Sequence, residues 1–296
     1  MIRIGLFENI KDMPRLVRML QHHPDVEIKW MWNFRRTYPV ASVSAHPELA
    51  GECDLRYTDN CDAGEVDLVI GEPGNGDMAD CLKDNPALKA IWTDEPHGRE
   101  GVVCGVPEFN RKALVRGARE AYMPSVYTLL CTLALMPQAK NLLLPESIGG
   151  ALLLPDDRQA AWGNSWTATG TGANDAMDIL RQLQLSFNGK IRPLCFSTRG
   201  TVAMGTFTMP AKMQIDQLLQ IYHDFYDDHR HVVILGEEQF LSDCVIAGTN
   251  KAAIQLKEQD GTLSVSVGFD TAFRNGAGMT MHLLNLLFGL DERTGF

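Results

Sequence analysis

The chain has 296 residues, with 27 Lys and Arg against 37 Asp and Glu, and a formal net charge of −10. That balance excludes a nucleic-acid backbone as the main partner, because phosphate binding needs a basic face. A hydrophobic content of 45% excludes a disordered chain and fits one large domain or two smaller ones.

No apolar run reaches the roughly 18 residues of a membrane span. The first residues, Met1 to Phe7, read as a strand without the pattern of an export signal, so the expected location is the cytoplasm. Seven cysteines (Cys53, Cys61, Cys81, Cys104, Cys131, Cys195 and Cys244) are an odd number without any Cys-x-x-Cys spacing. They are expected to be reduced thiols, with neither a disulfide framework nor a zinc site.

Residues 2–7 form an apolar run, followed by Asn9 and Asp12 as helix caps and by Met13, Leu16, Val17, Met19 and Leu20 at helical spacing. This predicts strand, turn, helix. Further strands are predicted at Val26–Trp32, Val66–Ile70 and Leu88–Trp92, with a helix at Asp77–Lys83. Alternating strands and helices over about the first 125 residues predict a Rossmann-like parallel sheet.

From Asn141 the pattern changes to longer strands at Ile191–Ser197, Thr201–Thr208, His231–Leu235, Ala252–Lys257 and Leu263–Phe269. Helices are predicted at Ala173–Leu185, Met213–Tyr226 and Gly276–Leu290, and Ser165–Asn174, rich in Thr and Gly, is predicted to be a loop. The fold class is therefore α/β, with an α+β second domain. The expected boundaries are 1–125 for the first domain, joined by a C-terminal helix within 275–296, and 126–274 for the second.

A dinucleotide-binding sheet places a glycine-rich loop at its first strand-to-helix turn, so that backbone N–H groups approach a pyrophosphate. Here the turn carries one glycine, Gly5, with Glu8, Asn9 and Asp12 after it. The missing glycines and the two acids make it unfavourable for phosphate, and no cofactor is the expectation. His229-Arg230-His231 lacks a third or fourth partner for a metal and reads as a strand entry. Gly276-Ala277-Gly278 opens the last helix, where small residues permit close approach of a chain segment or a ligand.

Two longer stretches carry a family resemblance. Cys104-Gly105-Val106-Pro107-Glu108-Phe109-Asn110-Arg111 resembles the Tyr-Gly-Leu-Pro-Glu-Leu-Asn-Arg signature of N-acetyl-gamma-glutamyl-phosphate reductases. Asp270 to Gly278 and Asn285-Leu286-Leu287-Phe288-Gly289-Leu290-Asp291-Glu292 are similar to that family's C-terminal motifs. The resemblance implies a fold of the semialdehyde-dehydrogenase type. It also implies NADP-dependent reduction of an acyl phosphate to an aldehyde, a step of arginine biosynthesis, through a cysteine nucleophile and a histidine acid/base.

Carried over position by position, the nucleophile falls at Val126, between Ser125 and Tyr127, and the acid/base falls at about Gly172. An isopropyl group cannot form a thioester, and glycine carries no proton. The resulting expectation is a catalytically degenerate member that binds or regulates and has no catalytic residue. Its ligand cleft is expected to involve Ser125, Tyr127, Arg199, Arg274, Gly276 and Gly278 and to take a small acidic ligand. The expected assembly is a homo-oligomer, or a hetero-oligomer with an active relative. The alternative is an active reductase using NADP and an unconventional nucleophile, Cys131 or Cys195.

Overall fold

A computed structural model describes every residue except 8–9, 11, 34–39, 42–44, 156–164, 168–170 and 237. The chain divides into two compact units, Met1–Met123 with Gly276–Phe296, and Pro124–Asn275.

The first unit runs β1 (Ile2–Phe7), α1 (Met13–His22), β2 (Val26–Trp32), β3 (Val40–Ala41), β4 (Arg56–Thr58), β5 (Leu68–Gly71), α2 (Gly76–Asp84), β6 (Lys89–Trp92), β7 (Val103–Cys104), α3 (Pro107–Val115) and β8 (Glu120–Tyr122). Its eight strands form one sheet in the order β3-β4-β2-β1-β5-β6-β8-β7. All neighbours are parallel except β3 with β4. This is the Rossmann-like sheet that the alternation of elements predicts. The strands β3, β4 and β7 are only two or three residues long, too short to leave a periodic pattern in the sequence.

Side chains close both ends of α2, where backbone groups lack partners within the helix. Asn75 caps α2 by accepting from the Met78 N–H at 3.1 Å. Past the other end of α2, Arg119 donates to the carbonyls of Leu82 and Leu88, at 2.5 and 2.9 Å. The closing helix α9 (Ala277–Phe288) packs against α1 and α3. It is mostly apolar, apart from Thr280, His282 and Asn285, and buried through Leu287, which is the pattern of a helix enclosed by the core. Gly289 ends it in the left-handed region, and Lys89 donates its ammonium to the Leu287 carbonyl.

The second unit runs α4 (Val126–Lys140), β9 (Ser147–Pro155), β10 (Ser165–Thr167), α5 (Thr171–Leu183), β11 (Lys190–Thr198), β12 (Val202–Pro210), α6 (Ile215–Tyr226), β13 (Val232–Ile234), α7 (Asp243–Ile246), β14 (Ala252–Gln259), β15 (Thr262–Asp270) and α8 (Thr271–Arg274). Its seven strands form a mixed sheet in the order β10-β11-β9-β12-β15-β14-β13. Helix α4 packs on β12 and β15 and also meets α5 and α6, and its residues from Thr128 to Ala139 are all buried.

Pro137 lies inside α4 and has no N–H to give to the carbonyl four residues back, Leu133. The Tyr226 hydroxyl supplies that bond at 2.6 Å, and the Tyr222 hydroxyl donates to the next carbonyl, Ala134, at 2.5 Å. Two tyrosines of α6 thus complete a helix that its own sequence interrupts.

The stretch 165–174, predicted as a loop, contains β10 and the start of α5, with 168–170 outside the described residues. Pairing with β11 from Ser165 to Thr167 overrides the local Thr and Gly signal. The helix predicted from Met213 starts at Ile215, where Gln214 and Gln217 form a reciprocal cap.

Candidate functional site

The position carried over as the nucleophile is the first residue of α4. Ser125 caps the helix, its Oγ accepting from the Thr128 N–H at 3.1 Å and bonding the Thr128 hydroxyl at 2.9 Å. Val126 follows with an inert side chain. Tyr127 hydrogen-bonds the Cys131 thiol, and burial pushes both well above their ordinary values, with Cys195 adding to the effect. Cys131 and Cys195 have no solvent exposure. A thiol held in this environment stays protonated and inert.

Iodoacetamide is therefore expected to label Cys244, which is exposed, and to spare Cys131 and Cys195 until the chain is denatured. Peptide mapping before and after denaturant checks this, and rapid labelling of Cys131 in the folded chain would contradict it.

The carbonyl of Pro124, just before Ser125, accepts from the Asn275 side chain at 2.7 Å. Thr271 donates both its N–H and its hydroxyl to the Thr201 carbonyl, each at 2.8 Å. These bonds bring the start of α4, the β11–β12 turn and α8 to one end of the second unit. Arg199, on that turn, is exposed, whereas Arg274, in α8, is fully buried. The two arginines expected to share a ligand cleft therefore differ: only Arg199 is open to a solute.

Gly172 lies in the first turn of α5. The chain's eight histidines all lie outside α4 and α5, and the three in the second unit, His223, His229 and His231, belong to α6 and the turn that follows it. Gly276 and Gly278 belong to the first unit, at the start of α9.

In the first unit, β1 lies between β2 and β5, so the point where the strand order reverses is at the carboxyl ends of these strands. An open crevice of about 230 Å³ lies there, lined by Trp32 at the end of β2 and by Glu72 to Asp77, which run from the loop after β5 into the first turn of α2. Burial and the Asp94 charge raise the Glu72 carboxyl above its ordinary range. In the sequence this segment is marked only by Gly74-Asn75-Gly76, shortly after a short apolar strand, which lacks a complete glycine motif.

The turn after β1 is differently occupied. A Cβ on Gly5 would lie 2.2 Å from the Trp30 ring, so this glycine makes room for an indole. Asp12 starts α1 in the left-handed conformation and pairs with Arg15 at 2.6 Å. Pro14, in the first turn, has no N–H to offer. Glu8 and Asn9 lie outside the described residues. Gly74 and Gly76 have open space where a side chain would be, and the carboxylates of Glu72 and Asp77 on the same crevice suit ribose hydroxyls.

The two signature stretches meet each other. Arg111, from the first, pairs with Glu292, from the second, at 2.5 Å, and Glu292 also accepts from His282 at 2.7 Å. Asn285 hydrogen-bonds His23, the residue after α1, at 3.0 Å and the Thr294 carbonyl at 2.9 Å. A Cβ on Gly105 would lie 2.6 Å from the Tyr122 carbonyl, so the first stretch needs glycine there. These motifs form a clasp that holds α9 and the tail in the first unit.

No family model matches the chain. Among individual proteins it is 28% identical over 304 residues to the N-acetyl-gamma-glutamyl-phosphate reductase of Phocaeicola vulgatus, covering 95% of this chain and 92% of that one. The enzyme of the same name from Parabacteroides distasonis is 27% identical with the same coverage. This chain is similar to the N-acetyl-gamma-glutamyl-phosphate reductases over nearly its whole length.

Its fold is that of the aspartate semialdehyde dehydrogenases. The Candida albicans enzyme, solved with NADP, superposes with a TM-score of 0.72 at 12% identity, covering 97% of this chain and 98% of that one. Aspartate semialdehyde dehydrogenase II from Vibrio cholerae gives 0.69 at 12% identity with the same coverage. The NADP in the Candida structure, together with relatives that are reductases by name, overturns the expectation of no cofactor. The turn before α1 is one part of the surface that the carboxyl ends of β1, β2 and β5 offer. Among the described residues no group of three or more His, Cys, Asp or Glu is placed to hold a metal ion. No helix among them is long and apolar enough to cross a membrane.

Proposed function

We propose that this chain keeps the reductase architecture without the thiol step: a catalytically degenerate relative that binds a nicotinamide dinucleotide and acts as a binding or regulatory protein. The observation that carries the reading is at the start of α4, where Val126 stands at the nucleophile position and the nearest cysteine of the helix, Cys131, is fully buried with its thiol pushed up. The dinucleotide is carried over from the solved neighbour. Trp32 and the segment from Glu72 to Asp77 would hold it, and it would supply a hydride donor or acceptor. The outer face of the second unit's sheet, with Leu153 and Leu194 43% and 54% exposed, offers an apolar surface for association with another copy or with an active relative.

The test pairs binding with turnover. The full chain is titrated with NADPH and NADP by tryptophan fluorescence, then assayed for NADPH oxidation with N-acetyl-gamma-glutamyl phosphate. Saturable binding with turnover at background is expected. Turnover that iodoacetamide abolishes would overturn the degenerate reading, and failure to bind either nucleotide at millimolar concentration would overturn the dinucleotide part.

A further inference from the structure

Next to the crevice at the end of β5, the segment between β4 and β5 docks on α2 through side chains. The Cys81 thiol donates to the Cys61 carbonyl at 3.1 Å, and Asn85 donates to the Ala63 carbonyl at 2.9 Å. From β2, the Trp30 indole reaches the Asp62 carbonyl at 3.4 Å. Cys61 and Cys81 both line an open cavity of about 440 Å³, along with Asp62, Asp77, Asp80 and Asp84. Cys61 is half-buried and Cys81 buried, so the cavity gives a small solute access to a pair of thiols rather than to one.

We infer that Cys61 and Cys81 are a modification site: a small neutral peroxide entering this cavity joins them in a disulfide that latches the segment between β4 and β5 onto α2. The more exposed Cys61 sulfur attacks the peroxide oxygen, giving a sulfenic acid and releasing water when hydrogen peroxide is the oxidant. The Cys81 sulfur then displaces the hydroxyl, forming the S–S bond and releasing a second water. In sum, two thiols lose two electrons and two protons, and one hydrogen peroxide becomes two waters.

The four carboxylates select the oxidant, because they repel anions such as glutathione disulfide and admit an uncharged peroxide. Burial pushes both thiols up, Cys81 to about 12, with the neighbouring acids adding to the effect. Thiols that ionise with difficulty react slowly. They are also poor leaving groups, so their disulfide resists reduction once formed. The pair is therefore built as a latch rather than as a shuttle. Because Asp77 lies on both this cavity and the crevice at the end of β5, the latch fixes the helix whose first turn borders that crevice.

The experiment treats the full chain carrying C244S, which removes the exposed thiol, with hydrogen peroxide, followed by denaturation, alkylation and mass spectrometry. The expected product is two hydrogens lighter, gives a linked peptide pair containing Cys61 and Cys81, and melts at a higher temperature than the reduced chain. Dithiothreitol should return it to the starting mass, and adding C61S or C81S should abolish the linked species. Full alkylation of both thiols after peroxide, addition of oxygen without loss of hydrogen, or pairing of Cys81 with a different cysteine would each overturn the inference. The readout does not use nucleotide or substrate, so it stands or falls apart from the function proposed above.

Discussion

Replacing Glu292 by alanine is expected to lower the unfolding free energy by about 3–5 kcal/mol, the range for breaking a buried ion pair from one side. Glu292 is 7% exposed and faces both His282 and Arg111. The hydrogen bond from His282 holds its carboxyl at about 2 against an ordinary 4.5, with Arg111 assisting and burial opposing. At 1.36 kcal/mol per pH unit the difference is worth about 3 kcal/mol. Because the folded value is the lower one, this contribution is complete above pH 4.5 and is lost as the pH falls through about 2. Denaturant titrations between pH 6 and pH 2 should therefore show a steeper acid loss for the natural chain than for Glu292→Gln. Parallel curves would mean that the clasp contributes nothing.

Gly5→Ala is expected to destabilise the first unit by about 1–3 kcal/mol or more, as forced overpacking does. The added methyl would meet the Trp30 ring at 2.2 Å, inside a sheet where β1 already shifts register against β2 between Ile4 and Gly5. Trp30→Leu makes room, so the double variant should recover much of the loss beyond what the two single changes predict by addition. Thermal melts of the four proteins check this. If Gly5 instead served a bound nucleotide, Gly5→Ala would leave the melting temperature unchanged and weaken NADPH binding, and Trp30→Leu would rescue neither.

Much of the fold is legible in the sequence where the apolar pattern is local. The run 2–7, the helical spacing from Met13 and the long strands of the second unit each pair or pack as their periodicity predicts. The short strands are not legible, because β3 and β7 have two residues each and exist through their neighbours. The signature stretches identify a relative, yet their physical task is visible only in three dimensions. Arg111 and Glu292 lie far apart in the chain and meet through the fold.

The candidate site divides in the same way. That Val126 cannot attack an acyl phosphate follows from its side chain alone. That Ser125 spends its hydroxyl on a helix cap, and that Arg274 is sealed in the core while Arg199 is not, depends on packing. The crevice beside Trp32 is not legible in the sequence, because Trp32 and the Glu72–Asp77 segment are brought together only by the sheet.

The division of the chain also sets an order of events during its synthesis. The second unit is one continuous stretch, Pro124–Asn275, whereas the first needs both Met1–Met123 and Gly276–Phe296. As the polypeptide leaves the ribosome, everything required by the later unit is present before the earlier one has its closing helix. Until α9 arrives, the surfaces of α1 and α3 that it will cover stay open to solvent. The half of the molecule made first is thus the half finished last, and during that interval an emerging chain presents this uncovered surface to chaperones or to other nascent copies.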